Sequence, residues 1–304
     1  MRLHNLYRDF EAAWRRSPTW ESIREGYVIP HQRFLSHYHL NWVEGGPVDP
    51  SVVEADYRKA WAERPGAAAA LVERMAGRSL SAMVEPACRA PEAYLRPRRK
   101  VQVYGFVGLE TTSAAQLLVD GAPAIALAVE AWGDAFLGMP MHWEDLPLLM
   151  AHEYTHVVRY TESETGLARA FREGGFDYGR ALNREPLLEF LVDEGLGVYL
   201  SQQMNPEADE RRALVFREDD LRWCREREAE LWAGVEPHLA DPPGFSGYRR
   251  YFSIAAEGLP PRTGYFLGYR LVSRFLAAHP EISPAEAVRL PAERFLPIPG
   301  SLGK

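Results

Sequence analysis

Only two cysteines, Cys88 and Cys224, occur in 304 residues. Two thiols so far apart neither make a disulfide framework nor form a thiolate zinc cage. No apolar run approaches the roughly 18 residues that a membrane-spanning helix requires, so no membrane span is expected. An excess of basic charge is also missing: 35 basic residues stand against 42 acidic ones, a formal charge of −7. That is the wrong sign for a protein that neutralises phosphates, and no nucleic-acid partner is expected. The opening Met1–Phe10 carries charges without an apolar stretch, which does not fit a secretory signal. No internal repeat with a period of about 20–50 residues is visible. What remains is an ordinary globular composition, 46% hydrophobic and 25% charged, in a chain long enough to bury a large core. These features describe a soluble, cytoplasmic protein, and nothing in them fixes an oligomeric state.

Along the chain, residues 1–98 are expected to form a mostly helical N-terminal region and 99–304 the main domain. Segments 52–63 and 66–76 place apolar residues three and four apart, punctuated by Pro47, Pro50, Pro65 and Gly66. The run Pro86–Lys100, with three prolines and four arginines, reads as a connection. Val101–Val107 alternates like a strand, and Ala124–Val129 is a short apolar run set off by Gly121 and Pro123. Helices return from Asp145: Pro147 suits a first turn, and Pro186 introduces a second helix running to about Gln203. Residues 207–232 read as one charge-laced helix with a solvated face. Another helix follows Pro260-Pro261-Arg262, with Thr263 as its expected N-cap. Strands followed by a block of helices give an α+β class.

One string carries most of the chemical information: His152-Glu-Tyr-Thr-His156 on a predicted helix, an H-E-x-x-H pattern. Residues four apart on a helix share a face, so both imidazoles can reach a single zinc ion (Zn2+). Glu153 then stands beside the open side of that ion, placed to take a proton from water as general base. A third protein ligand is needed. Glu162, six residues after His156, stays on a side of the helix facing away. Glu194 fits better: it sits in the middle of an apolar helix, where a carboxylate is costly unless paired or bound, and Gly195 and Gly197 follow it. Glu194 could instead be a core carboxylate salt-bridged to Arg159 or Arg180. Glu189 and Asp193 are weaker ligand candidates, either of which could orient a ligand histidine from behind.

The pair H-E-x-x-H and Glu194-Gly-Leu-Gly-Val-Tyr199 resembles the gluzincin arrangement, in which the glutamate before the glycine is the third zinc ligand. Together with Gly264-Tyr-Phe-Leu-Gly-Tyr-Arg270, the chain is similar over residues 100–290 to a bacterial family of Zn-dependent proteases still classed as a domain of unknown function. The resemblance implies a zincin-like fold, with a small β-sheet beside the H-E-x-x-H helix, and zinc metallopeptidase chemistry on a peptide or protein substrate. His152, His156 and Glu194 are then the metal ligands and Glu153 the base. Two departures limit what carries over. Aminopeptidases sharing the E-G motif have a G-x-M-E-N string before the zinc helix, which is absent here. Thermolysin-type enzymes place an Asp four residues after the third ligand, where this chain has Val198.

Other residues have weaker claims. Tyr265 and Tyr269 are four apart on one helix face, and a phenol aimed at the metal would stabilise an oxyanion. Tyr265, nearer the loop end, is the better placed; Arg270 and His238 are further candidates for that role. His37 and His39 would point to one side of a strand and imitate a metal pair. His142 is expected at the mouth of the cleft, and the strand near Ala124–Val129 as an edge for an extended substrate. Cys88 and Cys224 read as quiet apolar residues. The competing readings are a zincin-fold binding or regulatory protein without turnover, and a zinc hydrolase of a non-peptide substrate.

Overall fold

A computed structural model describes residues 1–42, 49–64, 66–108, 112–132, 135–136, 139–173, 181–253 and 258–296. Pro47, Pro65 and Arg180 lie outside the described residues. The protein is α+β and largely helical, with a small mixed sheet.

The sheet has the order β1-β2-β4-β3, built from β1 (Arg2–Asn5), β2 (Gln102–Phe106), β3 (Ala114–Val119) and β4 (Ala122–Ala128). β1, β2 and β4 run parallel, while β3 is antiparallel to β4. β2 and β4 are buried along nearly their whole length, as near-continuous apolar strands of a covered parallel sheet should be. β3 and β4 form a hairpin across Asp120-Gly121, both at positive φ (53° and 72°), the two-residue turn whose twist matches that of its strands.

This order corrects one expectation. The apolar run from Ala124 lies in a strand ending at Ala128, but a central one, paired on both sides; the sheet edges are β1 and β3. β1 also lies inside the region read as helical and crosses the boundary drawn at residue 98, because Arg2–Asn5 pairs in register with Gln102–Gly105.

Helices α1 (Tyr7–Arg16), α2 (Gln32–Trp42), α3 (Pro50–Glu63), α4 (Ala67–Arg74), α5 (Leu80–Ala87) and α6 (Arg89–Leu95) connect β1 to β2. The Pro86–Lys100 run is therefore mostly helix rather than connection. Pro91 sits in the first turn of α6, where its missing N–H is not needed, and Pro86 in the last turn of α5. His37 and His39 belong to α2, not to a strand, so residues two apart diverge. Buried His39 reaches Asp56 at 3.3 Å and His37 reaches Asp120 at 3.5 Å.

After the sheet come α7 (Leu146–Glu162), α8 (Gly166–Arg172), α9 (Leu187–Met204), α10 (Glu210–Leu214), α11 (Glu218–Glu226), α12 (Glu228–Val235), α13 (Gly244–Phe252) and α14 (Thr263–Ala278). The charge-laced segment 207–232 is thus three helices, not one. It breaks at Val215, which adopts the left-handed region (φ 54°), and again at Arg227. α14 begins at Thr263, with Arg262 before it at φ 61°; the Thr263 hydroxyl donates to Pro260 O (2.7 Å) instead of capping.

α7 packs on β3 and β4, and α9 is sandwiched between α7 and α14. α9 is buried at every position from Leu187 to Val198. Its approach to α14 is possible only because both contact points are glycine. A Cβ on Gly195 would lie 2.2 Å from the backbone carbon of Gly268, and one on Gly268 would lie 2.0 Å from Leu191 O.

Candidate metal centre

α7 turns its polar stripe toward α9, and three donor atoms converge there. His152 Nε2 lies 2.9 Å from His156 Nε2 and 3.2 Å from Glu194 Oε2; His156 Nε2 lies 3.5 Å from the same carboxylate oxygen. Tetrahedral zinc with bonds of about 2.0–2.2 Å would hold its ligand atoms roughly 3.3–3.5 Å apart, so the set is close to the size such an ion requires. Gly197 contributes by having no side chain: a Cβ there would be 2.6 Å from the His152 ring.

The hydrogen bonds behind the site fix its chemistry. Asp193 Oδ1 is 3.0 Å from His156 Nδ1, and its Oδ2 accepts from the Tyr160 hydroxyl at 2.6 Å. With Nδ1–H committed to Asp193, His156 Nε2 presents a lone pair toward His152 Nε2 and a carboxylate. Three electron-rich atoms so close, in a buried place, need a cation between them, either a proton or a metal. The charge balance agrees. Burial opposes ionisation of Glu194, yet hydrogen bonds and charge from His152 and His156 hold it well below the usual carboxylate range. Burial disfavours the His156 cation, but Asp193 and Glu194 outweigh it and push that imidazole well above its ordinary value. Donor set and separations fit a metal ion.

Below this layer Arg159, fully buried, donates to Glu189 Oε1 at 2.8 Å and to the carbonyls of Val288 and Leu290, both at 3.0 Å. Its Nε stands 3.6 Å from Asp193. Arg159 therefore does not pair with Glu194. Glu189 and Asp193 take that charge, and Asp193 is the carboxylate that orients His156.

Glu153 is buried one residue from His152 and outside the cluster of donors, facing a cavity of about 600 Å³. Burial raises its pKa, offset in part by the two imidazoles and by an amide hydrogen bond from Gln116. Tyr265 lines the same cavity with its ring 6.2 Å from that of His152. Burial first, then the neighbouring Glu194 carboxylate, hold its phenol well above the ordinary value, with Arg262 pulling the other way. His142 is at the cavity wall, exposed.

The remaining candidates lie elsewhere. Tyr269 donates to Gln202 Oε1 (2.8 Å), Arg270 pairs with Glu228 (3.1 Å), and His238 is exposed near Asp241. Glu162 is bound by Arg289 at 2.6 Å, away from the histidines. Cys88 and Cys224 are buried and free.

Two site residues went unread in the sequence. Gln116 is the one polar residue of β3 and reaches Glu153 across the sheet edge; its signal was a lone amide in an apolar hexapeptide. Arg262 lies with its guanidinium carbon 3.6 Å from the centre of the Tyr265 ring. Its backbone is left-handed, a conformation that costs energy in a non-glycine residue and that arginine does not signal.

No family model, curated protein or solved structure matches the chain. No helix among the described residues is long and apolar enough to cross a membrane.

Proposed function

We propose that the protein is a zinc-dependent peptidase with a zincin-like fold, in which His152, His156 and Glu194 hold the ion. The observation that carries this reading is the convergence of those three donors beside a buried carboxylate, Glu153, that is not among them. A purely structural zinc site has no use for a free carboxylate at that point. Two imidazoles and one carboxylate, with an open side facing a cavity, is a ligand set of catalytic zinc. Bound there, zinc supplies Lewis acidity, polarising a carbonyl oxygen and bringing the ionisation of water near neutral pH.

The chain's own groups do the rest. Glu153 accepts the proton of the attacking water and returns it to the leaving amine, and its raised pKa suits that return. Gln116 holds the Glu153 carboxylate in place. Tyr265 stays protonated at neutral pH and donates its O–H to the oxyanion that develops on the former carbonyl. An extended peptide pairs along β3, the edge strand whose first residue Ala114 lines the cavity beside Glu153.

The test combines metal analysis of the purified protein with a peptide-library digest of wild type and Glu153→Gln. About one zinc per chain is expected, retained in Glu153→Gln while turnover falls by at least 10² to 10⁴-fold. Tyr265→Phe should cost less, since only one oxyanion donor is removed. A protein that binds no zinc, cleaves no peptide, or turns over normally as Glu153→Gln refutes the reading.

A further inference from the structure

The chain as a whole is acidic, yet the cavity in front of Glu153 has a basic wall. Arg211, Arg212, Arg249 and Arg262 all line it, against Asp145 and Glu153. Arg212 is committed to Asp145 at 2.6 Å. Arg211 lies 3.8 Å from Glu218 and 4.0 Å from Asp209, both well exposed. Arg249 and Arg262 have no carboxylate partner among the described residues. Arg249 rests its guanidinium on exposed Phe245, and Arg262 donates only its Nε, to Leu214 O at 3.1 Å. The Arg262 guanidinium lies over the Tyr265 ring, and no hydrogen bond from either Nη group to an acceptor is found among the described residues.

We infer that this wall recognises a carboxylate of the substrate, so that the peptide taken by the cleft is acidic close to the bond that reacts. Arg262 is the principal anchor and Arg249 the second. A guanidinium offers a planar pair of donors matched to a carboxylate, which a neutral amide cannot replace. Distance limits where the carboxylate lies. The Arg262 guanidinium is 3.6 Å from the Tyr265 ring centre, itself 6.2 Å from the His152 ring. Extended chain rises about 3.3–3.6 Å per residue, so the recognised group is at most about three residues from the reacting carbonyl. Exposed Phe245 and half-buried Tyr248 on the same wall give the neighbouring apolar part of the peptide a surface to lie on. The carboxylate can come from a Glu or Asp side chain or from the peptide's own C-terminus. The chemistry at Arg262 is the same for both.

The inference rests on the peptidase reading only for where the cut falls; the binding preference is measured without cleavage. Zinc-loaded Glu153→Gln is titrated by calorimetry with three positional sets of acetylated hexapeptides. One carries Glu with an amidated end, one Gln with a free carboxylate end, and one Gln with an amidated end. Either acidic set should contain a peptide bound at least about tenfold tighter than its neutral counterpart, in line with a charged hydrogen-bond partner. Which set does so identifies the source of the carboxylate. Added to this background, Arg262→Gln should erase most of the preference and Arg262→Lys part of it. Arg249→Gln, at an exposed position, should reduce it. Equal binding of all three sets, no binding of any acidic peptide, or a preference that survives both arginine-to-glutamine changes overturns the inference. Digestion of the same peptides by wild type separates the two readings. Acidic preference without cleavage removes the peptidase and leaves the anion wall, and cleavage without preference does the opposite.

Discussion

Gly195→Ala adds one methyl group at the tightest helix crossing in the protein, and its cost can be worked from the contacts. The new Cβ would stand 2.2 Å from Gly268 C and 2.3 Å from Gly268 O. Carbon atoms settle at about 3.5–4.0 Å, so α9 and α14 must separate by more than about 1 Å at that point. The obstacle is backbone, which has no rotamer to yield. Overpacking costs about 1–3 kcal/mol, and this case belongs at the upper end. Against it, alanine gains about 1 kcal/mol of helix propensity over glycine. The net is a loss of about 2 kcal/mol, or a midpoint lower by roughly 3 °C. Glu194 precedes the insertion, so zinc affinity should fall as well. Two controls divide these effects. Gly234→Ala meets nothing within 4 Å and should leave stability unchanged or raised by up to about 1 kcal/mol. Gly197→Ala meets the His152 ring first, at 2.6 Å, so it should weaken zinc binding more than it weakens the fold. Urea unfolding in chelator gives the stabilities, and competition against a zinc indicator gives the affinities. A Gly195→Ala protein that unfolds at or above the wild-type midpoint would refute the account of the crossing.

Asp193→Asn keeps the shape behind His156 but removes the charge that orients its Nδ1–H, and zinc affinity should drop about 10–100-fold in the same competition assay. Arg159→Met leaves Glu189 as an uncompensated buried carboxylate and two carbonyls without their donor. Urea midpoints should register a loss of about 3–5 kcal/mol, and a loss below 1 kcal/mol would show that Arg159 contributes little. Burial pushes the Cys88 thiol up to about 12 and the Cys224 thiol up to about 11. Unfolded thiols ionise near about 8.5, so this contribution to stability is complete below that pH and is lost as pH rises through 11 to 12. At pH 8 a thiol reagent should modify neither cysteine until denaturant is added, and rapid labelling of the native protein would contradict the burial.

The parts legible in the sequence are those whose signal is local. His152 and His156 announce themselves because a four-residue spacing and a helix are enough to bring two imidazoles together. Two glycines so close together in an apolar helix, Gly195 and Gly197, are a local sign of a close approach, though their partners, Gly268 and the His152 ring, are not local. Residues whose conformation is set from far away were not legible. β1 is four residues long and owes its existence to β2. β3 is a short apolar run without alternation, so the sequence points to β4 as the edge and shows Gln116 only as a lone amide. Val215 ends α10 in a left-handed conformation that glycine would have signalled and valine hides. Pro86 and Pro91 looked like breaks because their positions within the turns of α5 and α6 cannot be read from proline alone.

The parallel pairing of β1 with β2 has a consequence for how the molecule is made. During synthesis Arg2–Asn5 leaves the ribosome long before its partner Gln102–Gly105 exists. At about 5–20 residues per second the first strand waits on the order of 5–20 s, its pairing groups open to any other strand. β4 and the hairpin arrive soon after β2, but α14, which closes over α9, follows much later. Such pairings between distant segments are slow to form, since the intervening chain must be ordered before they repay it. The histidines and Glu194 are therefore all translated before the glycine crossing that locks α9 in place, and a chain arrested between α9 and α14 would carry all three candidate ligands, with Glu194 on an unsecured helix.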